Sequence, residues 1–146
     1  MKQVSGDGLR QTGVLLLSVA IPLAVGAAGA IFTSDAIPTW YATLRKPEWT
    51  PPSWLFGPVW TALYAAMGVA AWLIWRIGQR YQESRGAVRA ALWMYAAQLA
   101  LNGIWSPIFF GARQPGLALV VIAVLLVLIV ETMRRFVLLR PTAALL

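Results

Sequence analysis

The sequence predicts an all-α fold, a polytopic membrane helical bundle, and three observations predict it. Of 146 residues, 60% are hydrophobic and only 12% are charged, against about 25% charged in an average soluble domain. Four apolar stretches are each long enough to cross about 30 Å of hydrocarbon. Between the first two lies a stiff connector, residues 33–53, and the stretch from Trp40 to Trp60 holds four of the eight tryptophans and four of the nine prolines. The length fits a single membrane domain over residues 1–146.

The first expected helix covers residues 13–32, which carry no charge. The polar start with Lys2 and Arg10 is also a signal-peptide pattern, but the length of the apolar run argues for a span. Pro22 is a candidate kink. Gly26 and Ala30 form a small-xxx-small pair that permits close helix approach. The second helix is expected at 54–75, with Ser53 as N-cap and Pro58 in the early turns, where a missing N–H matters less. The third is expected at 90–112, ended or bent by Pro107 near Ser106. The fourth, 116–133, is a dense aliphatic run through Val130 extended by Glu131, Thr132 and Met133. The tail after it is apolar except for Arg140 and too short to cross.

The net charge of +7 would suggest nucleic acid in a soluble protein. Here the basic residues sit at the ends of apolar runs, so they report orientation, with anionic lipid headgroups as a secondary reading and no nucleic acid as partner. Nine Lys and Arg fall on one side and three on the other, which predicts a cytoplasmic N-terminus and 76–89 loop. The tryptophan-rich connector then lies on the opposite side. The absence of Cys and His removes disulfides, thiolate nucleophiles, His- or Cys-based triads and His-ligated haem, and no metal site is expected.

Within the third helix Met94, Gln98, Asn102 and Trp105 share one face. Two mid-helix amides are costly against lipid, so they must point into the bundle. There they either bond across helices as glue or offer donors and acceptors to a ligand; the stripe alone leaves both readings open. Trp60, Tyr64 and Met67 on the second helix recur about one turn apart, which by itself is ordinary packing. Set against Gln98 and Asn102 they suggest a flat, mostly apolar pocket with a few polar handles. Ala96 and Ala100 mark another face suited to helix packing or a dimer contact. Glu131 precedes Arg134 and Arg135 at i+3 and i+4, a local ion pair. Asp35 is a candidate to cap a turn or pair with Arg45 or Lys46.

The segment WYATLRKPEWTPPSWLFGPVWTALYAAMG, Trp40 to Gly68, resembles the signature of the tryptophan-rich sensory protein and translocator protein (TspO/MBR) family. YAAQLALNGIWSPIFFG, Tyr95 to Gly111, is similar to that family's third helix. The resemblance implies a five-helix, dimeric membrane protein that binds porphyrins such as protoporphyrin IX and haem, sterols and benzodiazepine-type ligands. The ligand-lining residues it implies are Tyr41, Pro51, Trp60, Tyr64, Gln98, Asn102 and Trp105, with Trp49 and Trp54 covering them. No cofactor is required; porphyrin or haem enters as ligand. The resemblance also implies an alternative activity, light- and oxygen-dependent porphyrin degradation, with Trp60 as the catalytic position. Passive transport of a small molecule is a further alternative. The sequence reaches Pro141-Thr-Ala-Ala-Leu-Leu where the family's fifth helix is expected to begin. A four-helix bundle is therefore expected, the fifth missing or truncated and one pocket wall open to lipid.

Overall fold

The computed structural model describes residues 3–146, which form an all-helical bundle. The helices are α1 (Gln3–Ser34), α2 (Phe56–Arg80), α3 (Arg85–Ser106), α4 (Pro115–Leu139) and the short α5 (Pro141–Ala144). Among the described residues three stretches are long and apolar enough to cross a membrane: Asp7–Ser34, Ser53–Arg80 and Pro115–Leu139. α3 is not among them, because arginines at its start and two amides at its centre lower its hydropathy. Its 22 residues nonetheless extend about 33 Å at 1.5 Å per residue, and it packs against α1, α2 and α4. The neighbours carry the apolar surface that α3 lacks.

The helices overrun the uncharged runs at their ends. α1 begins at Gln3, well before the expected start at residue 13, because backbone hydrogen bonding continues through polar residues once an apolar span has nucleated it. α4 continues to Leu139, taking in Glu131 with Arg134 and Arg135. Glu131 accepts from Arg134 Nε at 2.8 Å and from Arg135 Nε at 2.7 Å, the i+3 and i+4 pairs the spacing predicts. Ser53 does not cap α2. It opens a 3-10 turn, Ser53–Leu55, and Leu55 precedes the helix without a side-chain cap bond. Asp35 makes no ion pair with Arg45 or Lys46; its backbone carbonyl instead accepts from Thr39 Oγ1 at 2.5 Å.

The α1–α2 seam is built on absent side chains. Pro22 is buried within α1. Having no N–H, it leaves the Ser18 carbonyl without its helical donor. Gly68 of α2 lies directly over that carbonyl, so close that a Cβ there would collide with Ser18 O and, at 2.5 Å, with Val19 Cα. One turn further along α1, a Cβ on Gly26 would stand 2.5 Å from the Tyr64 ring. Gly29 faces the Ser106 hydroxyl, and Val25 faces Gly103, bringing α3 against the upper half of α1. Ala30 is exposed, so the close approach is made by Gly26 and Gly29 rather than by Gly26 and Ala30. Lower down, Ile74, Val88, Ala91 and Phe136 join α5 through Ala143 and Ala144 in one core. α5 thus fills the base between α2 and α4. Above it the α2 face with Val59, Trp60 and Leu63 stays exposed.

Pro107 ends α3 at Ser106, and the chain continues as a π-helical turn, Pro107–Gly111. That widened turn swings Phe109 and Phe110 out under the connector. Arg113 then takes a left-handed φ of 54° to reverse the chain into α4.

Candidate functional site

Tyr64 is the hinge between scaffold and site. Its ring lies against Gly26 of α1, and its hydroxyl donates to Asn102 Oδ1 of α3 at 2.9 Å, a buried bond. Trp60 sits one turn above on α2, with its ring centroid 5.7 Å from that of Tyr64. Trp60 remains 41% exposed, so it presents aromatic surface outward beside a polar interior.

Gln98 lies one turn below Asn102 on the same inward face of α3. It is 4% exposed, and its Oε1 is buried with no hydrogen-bond partner. Its amide nitrogen makes no hydrogen bond among the described residues, and neither does that of Asn102. The Tyr95 hydroxyl, three residues earlier, is also buried without a partner. An unmatched buried polar group costs about 1–3 kcal/mol, and more hydrocarbon around it makes the imbalance worse. Of the two readings of the stripe, helix glue accounts for the Tyr64–Asn102 bond. It does not account for Gln98.

A second aromatic group supports the connector. Trp105 stacks on Phe109 with centroids 4.9 Å apart, and its indole N–H donates to the Ala118 carbonyl of α4 at 3.1 Å. Trp40 meets Phe109 edge-on at 5.4 Å, and Tyr41 lies 5.8 Å from Phe110. Lys46 Nζ stands 4.2 Å over the Tyr41 ring, a cation–π contact. The first half of the connector is therefore fastened to the α3–α4 turn.

The structure links Trp60, Tyr64 and Asn102, with Gln98 buried one turn below Asn102 on α3. It places Tyr41 and Trp105 in the neighbouring aromatic group. Trp49 and Trp54 stand away from both, 83% and 71% exposed, and Pro51 is exposed with them. The reason is local: Pro47, Pro51 and Pro52 hold this stretch extended, and its hydrogen bonds close only short turns, Thr50 N–H to Pro47 O at 3.0 Å and Leu55 N–H to Pro52 O at 3.1 Å. Rings so placed suit the membrane–water interface. Sequence reasoning missed Phe109, Phe110, Trp40 and Gly68. The Pro-Ile-Phe-Phe-Gly run was the available signal for the first two; nothing local marks Gly68 as an approach point.

Among the described residues no three His, Cys, Asp or Glu side chains gather as metal ligands. The fold and site define a small polytopic membrane protein of the binding or sensing kind, with aromatic surface and inward amides as its chemical equipment. The chain belongs to the TspO/MBR family, whose model matches residues 18–146. It is 42% identical over 118 residues to the tryptophan-rich protein TspO of Archaeoglobus fulgidus, covering 81% of this chain and 73% of that one. It is 54% identical over 81 residues to the human translocator protein, 56% of this chain but 46% of the relative. The tryptophan-rich sensory protein of Cereibacter sphaeroides is 39% identical over 115 residues, 77% of this chain and 68% of its own. The stretch matched is thus about half of the human relative and about two-thirds to three-quarters of the microbial ones.

Proposed function

We propose that this protein binds porphyrins and related flat hydrophobic molecules, such as sterols and benzodiazepine-type compounds, at the Trp60–Tyr64–Gln98–Asn102 site. The observation that carries the reading is the buried, unpartnered Gln98 Oε1 beside the Tyr64–Asn102 bond. A ligand with an N–H or O–H donor would satisfy Gln98, and its ring face would stack on Trp60. The outward exposure of Trp60 gives such a ligand a way in from the bilayer. Orientation follows from charge: the N-terminus and the 76–89 loop face the cytoplasm, and the connector faces the other side.

Titration of the detergent-purified chain with protoporphyrin IX, read by tryptophan fluorescence quenching, tests this. Trp60→Phe is expected to weaken binding about threefold to tenfold, the share of one aromatic contact. An unchanged titration curve would remove Trp60 from the site. A second reading is favoured by the 5.7 Å Trp60–Tyr64 pair: in light and oxygen the bound porphyrin is degraded, with Trp60 as the reacting side chain. Under illumination the wild type then bleaches the porphyrin absorbance band and Trp60→Phe does not.

A further inference from the structure

At the opposite end of the molecule a groove of about 430 Å³ opens between α2 and α3. Trp75, Leu92 and Trp93 supply apolar wall, while Gln79, Arg85 and Arg89 supply polar groups. Arg85, Arg89 and Trp93 follow one another at i, i+4 and i+8, so they share one stripe of α3. Like charges at i, i+4 repel, and here no carboxylate relieves them: the ion pairs among the described residues are Glu131 with Arg134 and Arg135.

Three other arginines at this end are engaged, while Arg80 at the end of α2 is exposed and makes no side-chain hydrogen bond or ion pair among the described residues. Arg10 lies over the Trp75 ring at 5.6 Å and donates to Gln79 Oε1 at 3.2 Å. Arg76 lies over Trp72 at 4.7 Å, and Arg140 donates to Thr142 at 3.0 Å. Arg85 gives only its Nε, to the Gly78 carbonyl at 3.2 Å, which leaves its two terminal nitrogens unused. Arg89 makes no side-chain hydrogen bond or ion pair among the described residues.

We propose that this groove holds an anionic glycerophospholipid, its phosphate between Arg85 and Arg89 and the start of an acyl chain along Leu92 and Trp93. Two guanidinium forks one turn apart match a phosphate's oxygens. A basic recess between helices at the cytoplasmic end of a membrane bundle is where anionic headgroups are held. The apolar wall selects a lipid over a free phosphate: an inorganic anion would satisfy the arginines but leave Trp93, 72% exposed, uncovered.

The test is native mass spectrometry of the full chain, delipidated and then offered equal phosphatidylglycerol and phosphatidylcholine. The wild type is expected to retain phosphatidylglycerol over phosphatidylcholine on the order of tenfold. Arg89→Gln, which leaves the Arg85–Gly78 bond intact, should lower that preference severalfold. Arg85→Gln with Arg89→Gln should abolish it. Arg45→Gln with Arg113→Gln makes the same charge change at the other end and should leave the preference alone. Equal retention of both lipids by the wild type, or an unchanged preference in the double variant at residues 85 and 89, would overturn the proposal. So would loss of a dimer in that variant with lipid preference intact, which would make the groove an interface between two copies.

Discussion

The two sides of Tyr64 differ in how tightly they close. Toward α1 the ring rests on Gly26, and the neighbouring Gly68 covers a carbonyl that Pro22 cannot bond. Every feature there serves close packing. Toward α3 the hydroxyl bonds Asn102, but Gln98 beneath it keeps a buried oxygen without a partner. On the α1 side the leftover Ser18 carbonyl is sealed under Gly68, so that seam is scaffold. On the α3 side the leftover Gln98 oxygen is the group that the proposed ligand would meet.

The largest effect should come from the scaffold side. Gly68→Ala forces a methyl into the α1 backbone and should cost about 2–3 kcal/mol, read as a lowered thermal midpoint in detergent. A midpoint equal to wild type would mean the seam is looser than described. Next is Asn102→Leu, which strands the Tyr64 hydroxyl and should cost about 1–2 kcal/mol. Adding Tyr64→Phe should recover most of that, because both partners are then apolar. Porphyrin affinity should stay low in both variants; recovery of affinity along with stability would assign the pair to packing alone. The smallest effect belongs to Trp49→Ala and Trp54→Ala. Side chains this exposed should change stability by less than about 0.5 kcal/mol, and a larger loss would show that the connector packs on the bundle in solution.

Much of this comparison was legible in the sequence. Gln98 and Asn102 had to face inward because lipid offers amides no partner, and their shared face follows from helical spacing. The same periodicity puts Trp60 and Tyr64 on one face of α2, but that this face meets the amides is seen only in the Tyr64–Asn102 bond. Glu131 pairs as its spacing predicts because both partners lie within about one turn of it. What was not legible depends on approach between distant segments. That Gly68 would meet Ser18, or that Gly29 rather than Ala30 would face α3, is set by the crossing of α1 with its neighbours and not by any local pattern. The connector divides the same way. Trp40 and Tyr41 are held by Phe109 and Phe110, some 70 residues away in sequence and brought near by a π-turn that Pro107 announces only as a helix end. Trp49 and Trp54 have the same aromatic chemistry but no such partner, so tryptophan content alone could not say which rings would pack and which would stand out.

The most direct test of the central claim is Gln98→Met, an apolar side chain of similar length, followed by thermal unfolding and by protoporphyrin titration on the same sample. If Gln98 is held for a ligand, removing its unmatched amide leaves stability equal or raises it by about 1 kcal/mol, while affinity falls several-fold. A protein that is destabilised by the change yet binds protoporphyrin as before would show that Gln98 serves the bundle and not a ligand.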